Sequence, residues 1–250
     1  MRLSFVIPAY NEEHYLRSCL ESILEQTHDC GQTVEIIVVN NASIDNTRGV
    51  ALSYQGVRLI DEPRKGLTHA RQAGFAASSG SLIANVDADC RLTPGWISRV
   101  LAAFDANPNL AAFSGPLVYY DLTPWQRFLV RIFYLNAFTV YFVNRYILRV
   151  GSMVQGGNFV LSRAALTAIG GFNLDISFYG EDTDIARRVN TVGEVRFDLG
   201  FRMFSSARRL KREGILTMAA RYTINYLWTT FLKRPYSRNY IDIRERVQGR

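Results

Sequence analysis

Residues 81–89 read S-L-I-A-N-V-D-A-D, an apolar run that ends in two carboxylates one residue apart. Leu82, Ile83, Ala84 and Val86 are interrupted only by Asn85, and Gly80 precedes them, the pattern of a strand covered on both faces. A strand of that kind belongs in a sheet flanked by helices. Asp87 and Asp89 fall just past its carboxyl end, where the loops of an open α/β sheet converge and ligands bind. Such a pair can face one crevice and hold a divalent cation through hard oxygens, leaving positions open for phosphate. The same pair can also simply close a strand and begin a turn, so the rest of the chain has to discriminate.

The flanking sequence alternates strand and helix patterns. Residues 3–7 (L-S-F-V-I) form a first expected strand that exits at Pro8, and A-Y-N-E-E leads into a helix with apolar residues three and four apart, for which Asn11 is the expected N-cap. Residues 34–39 (V-E-I-I-V-V) and 57–60 give two more strands, separated by N-N-A-S-I-D-N-T and a short helix. Residues 67–78 carry Ala70, Ala73, Gly74, Ala76 and Ala77, a small-residue face that lets backbones approach. This alternation predicts a doubly wound, mostly parallel sheet. Further on, the pattern predicts a helix over 94–107 with proline at its first position, an aromatic-rich strand over 110–120, and a strand over 155–163. In G-E-D-T-D, Glu181, Asp182 and Asp184 open a helix, where the helix dipole alone accounts for acids.

A dehydrogenase-type dinucleotide site needs glycines after the first strand, and P-A-Y-N-E-E has none; a P-loop is also missing. Cys19, Cys30 and Cys90 are odd in number and lack metal-ligand spacing, which argues for a reducing compartment. The formal charge of +7 is unevenly placed, with eleven Lys or Arg against three acids over 208–250. That stretch reads as a basic amphipathic helix to about 233, followed by a loose tail from about Pro235, and suggests an anionic surface as partner. No nucleic-acid recognition motif accompanies it, so a nucleic-acid partner is not expected. Residues 125–150 are dense in aromatic and aliphatic side chains. Only thirteen uncharged residues separate Arg131 from Arg145, too few to span a bilayer, and periodicity allows either a core helix or an interfacial one.

V-I-P-A-Y-N-E-E, V-V-N-N-A-S-I-D-N-T, K-G-L-T-H-A-R-Q-A-G, D-A-D, and G-G-F followed by G-E-D-T-D-I-A-R-R occur in that order, and together they resemble inverting glycosyltransferase family 2 over about residues 3–200. The resemblance implies a GT-A fold, a Rossmann-like, mostly parallel sheet flanked by helices, here with a C-terminal amphipathic helical extension. It implies a nucleotide-sugar donor, UDP-sugar before GDP-sugar, held by Pro8, Ala9, Tyr10, Glu12, Lys65, Arg71, Asp87, Ala88 and Asp89. Asn40 stands where relatives usually carry the base-recognising Asp. The implied cofactor is Mn²⁺ or Mg²⁺, on Asp89 with Asp87 beside it, and Asp182 is the implied catalytic base. Gly156, Gly157 and Glu181 are implied to shape the acceptor site.

On this resemblance, residues 1–204 are a GT-A domain with a nucleotide half of about 1–90 and an acceptor half of about 91–204 that includes an aromatic helix over 124–150; 205–250 form the basic extension. Relatives often add a C-terminal metal-binding histidine, and polymerising synthases a Gln-x-x-Arg-Trp motif. This chain has no His after His69 and reads S-S-A-R-R-L at 205–210, so processive synthesis is not expected. The expected role is metal-dependent sugar transfer to a lipid-linked or cell-envelope glycan acceptor, by a cytoplasmic protein peripheral on the cytosolic membrane face. The competing role is a non-catalytic nucleotide-sugar-binding or scaffold subunit.

Overall fold

A computed structural model of the chain describes residues 2–27, 34–148, 152–176, 178–237, 242 and 244. Strand β1 (Leu3–Ala9), buried along its whole length, pairs in parallel with β2 (Val34–Asn40) and, on its other side, with β4 (Leu82–Val86). Strand β2 pairs in parallel with β3 (Val57–Asp61). The crossovers are α1 (Leu16–Thr27), α2 (Thr47–Leu52) and α3 (Leu67–Ala77). After β4 come β5 (Cys90–Leu92), α4 (Trp96–Ala106), β6 (Leu110–Ser114) and β7 (Leu117–Tyr119). Helix α5 (Pro124–Phe142) runs into a π-helical stretch, Val143–Leu148, and is followed by β8 (Asn158–Ser162), α6 (Arg163–Ala168), α7 (Glu181–Val189), β9 (Glu194–Phe197) and β10 (Met203–Ser205). Helices α8 (Arg208–Glu213) and α9 (Ile215–Leu232) close the described fold.

The main sheet has the order β3-β2-β1-β4-β8-β6-β9, with β8 antiparallel to both neighbours and every other pairing parallel. The mostly parallel α/β sheet expected from the sequence is thus the observed one. Its strand order turns at β1 and β4, which sets the loops after these strands around one crevice. Gly74 lets α3 lie against the sheet, because a Cβ there would sit 2.2 Å from Val6 Cγ1. On the other face Trp96 packs between Phe5 and Phe201, and its indole N–H donates to Asn158 Oδ1 at 3.0 Å.

A second sheet, β5-β10-β7, starts one residue after Asp89. The antiparallel pairing of β10 with β5 sets Ser205 opposite Cys90, and the Ser206 N–H donates to the Asp89 carbonyl at 3.2 Å. That pairing swings the chain after β10 back over the crevice.

Several sequence expectations change. The stretch 110–120 is two strands in different sheets, because the chain at Gly115 crosses the Phe201 backbone so closely that a Cβ would lie 1.9 Å from its carbonyl oxygen. The helix expected from Pro94 begins at Trp96, after Gly95 in the left-handed region. The helix expected over 208–233 breaks at Gly214, at φ +87°, into α8 and α9. Asn11 is not the N-cap of α1: it adopts φ +52° and its side-chain carbonyl accepts the Ile44 N–H at 2.9 Å, tying the first loop to the second. Cys19 and Cys90 are buried free thiols, and Cys30 lies outside the described residues. Among the described residues no helix is long and apolar enough to cross a membrane.

Candidate active site

A cavity of about 390 Å³ opens at the carboxyl ends of β1 and β4. It brings together Pro8, Ala9 and Tyr10 from the first strand and loop, Lys65 and Arg71 from around α3, and Asp87, Asp89, Gly156, Glu181 and Asp182. Strand β4 delivers the two aspartates because it ends at Val86, and α7 delivers the acids of its first turn through Gly180, which holds the left-handed conformation at its start.

Arg71 ties the end of β4 to the first turn of α7. It is fully buried on α3, donates from Nη2 to Asp87 Oδ1 at 3.1 Å, pairs through Nη1 with Glu181, and lies over the Phe159 ring. Burial opposes its charge, but Glu181 and Asp87 outweigh burial and keep the guanidinium charged. Burial pushes Glu181 up to about 7 against the pull of Arg71, with Asp182 adding to the rise. Asp182 is raised by burial too, partly offset by hydrogen bonds and by Arg71. Its Oδ1 accepts the Thr183 N–H at 2.8 Å, leaving Oδ2 toward Gly156, whose added Cβ would stand 3.7 Å away. Gly157, at φ +80°, runs beneath Asp87: a Cβ there would meet Asp87 Oδ2 at 2.8 Å, so both conformation and space require glycine.

A second cluster joins the chain termini. Glu12, 1 % exposed, donates its backbone N–H to Thr47 Oγ1 at 2.7 Å, and its carboxylate pairs with Arg208 and, at 2.6 Å, with Arg244 Nε. Burial raises the Glu12 carboxyl against those two cations. Arg208 also reaches Asp89 Oδ2 at 3.0 Å; burial works against its charge, but Asp89 and Glu12 more than compensate. Lys65 donates to the Tyr10 hydroxyl at 3.0 Å, stands over the Tyr10 ring, and pairs with Asp242 at 2.8 Å. The expectation of a loose tail from Pro235 therefore fails at Asp242 and Arg244, which pack into the site.

Three expected donor residues lie outside the cavity lining: Glu12, held behind it by Arg208 and Arg244, Asn40 and Ala88. Asn40 is outside the cavity lining and donates to Asp61 Oδ1 at 2.8 Å, so the carboxylate at this point comes from the neighbouring strand. Asn41 lines the cavity instead and clamps the loop after β3, donating to the Glu62 and Arg64 carbonyls and accepting the Gly66 N–H at 2.8 Å. Ala88, 2 % exposed, packs into the core between the two aspartates. Arg208, Arg244 and Asp242 were missed as site residues.

Among the described residues no group of three His, Cys, Asp or Glu could hold a metal. Asp87 and Asp89 nevertheless fit one wall of an open Mn²⁺ or Mg²⁺ site, because hard carboxylate oxygens on a cavity leave the remaining positions to phosphate and water.

The model of the family described as Glycosyl transferase family 2 matches residues 4–170. An uncharacterized glycosyltransferase of Nostoc sp. is 33% identical over 112 residues, which are 43% of this chain and 34% of that protein. The chain spans about a third of the length of the curated relatives it matches, 34%, 29% and 33% in three of them. A mannosyltransferase of Pyrobaculum calidifontis, solved with GDP-Man and Mn²⁺, superposes with a TM-score of 0.68 at 20% identity over 93% of this chain and 63% of that one. Glucosyl-3-phosphoglycerate synthase of Mycobacterium tuberculosis, solved with Mn²⁺, UDP and phosphoglyceric acid, gives a TM-score of 0.64 at 20% identity over 92% and 78%. The fold likeness to these GT-A proteins is thereby shown.

Proposed function

The chain belongs to glycosyltransferase family 2, and from that footing we propose that it is a metal-dependent, inverting glycosyltransferase that moves a sugar from a nucleotide-diphosphate donor to a lipid-linked or cell-envelope glycan acceptor. The observation that carries this reading is the meeting of Asp87, Asp89 and Asp182 in one cavity, with Arg71 spanning from Asp87 to the residue beside Asp182.

Inversion is a single displacement, so one base takes the acceptor proton on the face opposite the leaving diphosphate. Asp182 Oδ2 is that base: Thr183 orients the carboxylate, and burial makes it more basic than an ordinary aspartate. Asp89, with Asp87 beside it, would hold Mn²⁺ or Mg²⁺, which when bound supplies Lewis-acid stabilisation to the diphosphate. Pro8, Ala9 and Tyr10 form the wall for base and ribose, and Lys65 stands over Tyr10 within reach of phosphate. Arg208, held by Asp89 and Glu12, adds positive charge where the leaving group becomes more negative. Gly156, on the cavity wall, leaves room for the sugar, Gly157 makes room for the Asp87 carboxylate, and Glu181 borders the acceptor. The donor half (about 1–90) and the acceptor half (about 91–204) meet at Arg71, Arg208, Asp242 and Arg244 close the site, and the basic extension (205–250) carries it to a cytosolic membrane face. A UDP-sugar is the favoured donor, and GDP-sugar the second choice; among the solved neighbours the mannosyltransferase was solved with GDP-Man and glucosyl-3-phosphoglycerate synthase with UDP-Glc.

Calorimetric titration of UDP, GDP and dTDP, with Mn²⁺ and with chelator, tests the donor site. Metal-dependent binding of one nucleotide is expected, weakened by Asp89→Ala. Asp182→Asn keeps that binding and lowers transfer or donor hydrolysis by at least about a hundredfold, the lower end of what a general base contributes. Full activity in Asp182→Asn sinks the base assignment, and no nucleotide binding by folded protein favours a scaffold role.

A further inference from the structure

Resting on the transferase reading, we propose that an apolar arm of the same cavity, between α5 and α9, binds the hydrocarbon chain of a lipid-borne acceptor whose polar head reaches Asp182. The cavity does not stop at the carboxylates. Along α5 it is lined by Val130, Phe133, Ala137 and Val140, and along α9 by Ile215, Ala219 and Tyr222. Both sets follow the three-and-four spacing of a single helical face, and neither carries a formal charge. The two helices pack against each other, with Asn144 just beyond α5 donating to the Tyr226 hydroxyl of α9 at 3.0 Å. An uncharged trough that ends at a catalytic carboxylate suits a molecule with a long apolar part and one reactive polar end.

The outside of the helix pair identifies the source of that molecule. Helix α5 has a second apolar face, Trp125, Phe128, Ile132 and Leu135, and α9 has Ile224, Trp228 and Phe231; all are exposed, Trp125 at 65 %. One apolar stripe is enough to hold a helix on its domain, so α5 has one to spare. No acidic residue occurs over 122–174 or 214–241, while Arg127, Arg131, Lys233 and Arg234 are exposed on the same helices and the turn after α9. An acid-free, cationic, apolar surface complements an anionic bilayer. A lipid in that bilayer can then pass its chain between α5 and α9 without crossing water.

The test is calorimetric binding of butyl, hexyl, octyl and decyl phosphate, below their micellar concentrations, to the full chain. Affinity is expected to rise about fourfold per added methylene, the effect of burying one CH₂ group. Ala137→Trp and Ala219→Trp, each of which fills the trough, flatten that rise, while Phe128→Ser on the outer face leaves it unchanged. No dependence on chain length in the wild type overturns the proposal. So does a rise that survives both Trp variants, or one that Phe128→Ser removes. UDP and GDP binding in Mn²⁺ is read on the same samples: its retention in the Trp variants shows an intact donor site. Its absence from the wild type, with the chain-length series intact, sinks the transferase reading and leaves the trough standing.

Discussion

Glu181 sits in the first turn of α7, 6 % exposed, with Arg71 against its carboxylate and Asp182 next to it. Burial lifts its carboxyl from 4.5 to about 7 despite Arg71. Between those values the folded chain holds a proton that the unfolded chain releases. The stability this contributes is complete below pH 4.5 and is lost as pH rises through about 7. A shift of that size corresponds to about 3 kcal/mol. Urea unfolding of the wild type and Glu181→Gln from pH 4.5 to 8 is therefore expected to give a shallower decline for the variant. Removing Arg71's partner moves the whole variant curve down, so the slope is the diagnostic. Parallel curves would mean that Glu181 ionises normally in the fold. That Asp87, Asp89, Asp182 and Arg71 line one cavity was expected from the resemblance to family 2, whereas the residues alone left the acids of α7 explained by the helix dipole. Arg208 was not readable, because its approach to Asp89 depends on the three-residue strand β10 finding β5, more than a hundred residues earlier, and no periodicity marks so short a strand.

At the scale of elements, the site depends on how closely α3 lies on the sheet. Arg71 projects from the same helix as Gly74, and Gly74 is where α3 touches Val6 and Val39. Gly74→Ala places a Cβ 2.2 Å from Val6 Cγ1, and the helix has to lift. Overpacking of this kind costs about 1–3 kcal/mol, even though alanine favours helix over glycine by roughly 1 kcal/mol. A lower urea midpoint and weaker nucleotide binding are expected together, since lifting α3 withdraws Arg71 from Asp87. A more stable Gly74→Ala would show that the sheet yields there instead. The small-residue face of 67–78 was legible as a close approach. The break of 208–233 at Gly214 was not, because apolar spacing runs on across it and only the backbone conformation of one glycine turns the chain.

Across the whole molecule, charge and apolar exposure are segregated. Exposed apolar residues of α5 and α9, Trp125, Phe128, Ile224 and Phe231 among them, stand with the exposed Arg127, Arg131, Lys233 and Arg234 in two stretches of sequence, 122–174 and 214–241, that contain no acid. Sequence periodicity left 125–150 open between core and interface because α5 lines the cavity with one face and exposes another, equally apolar, one. If the exposed face sits on a bilayer, two separable contributions should appear in flotation with vesicles. Basic residues near an anionic surface each contribute about 1 kcal/mol, so Arg127→Glu with Arg131→Glu should lower binding to phosphatidylglycerol-containing vesicles by at least about tenfold. High salt should have the same sense, since the screening length falls to about 3 Å at 1 M. Trp125→Ser with Phe128→Ser should weaken binding at every salt concentration, because burial of apolar rings is not screened. Equal binding of all variants to neutral and anionic vesicles would remove the membrane from the account. The alkyl-chain series would then have to be explained by a soluble amphiphile, with the crevice chemistry unchanged.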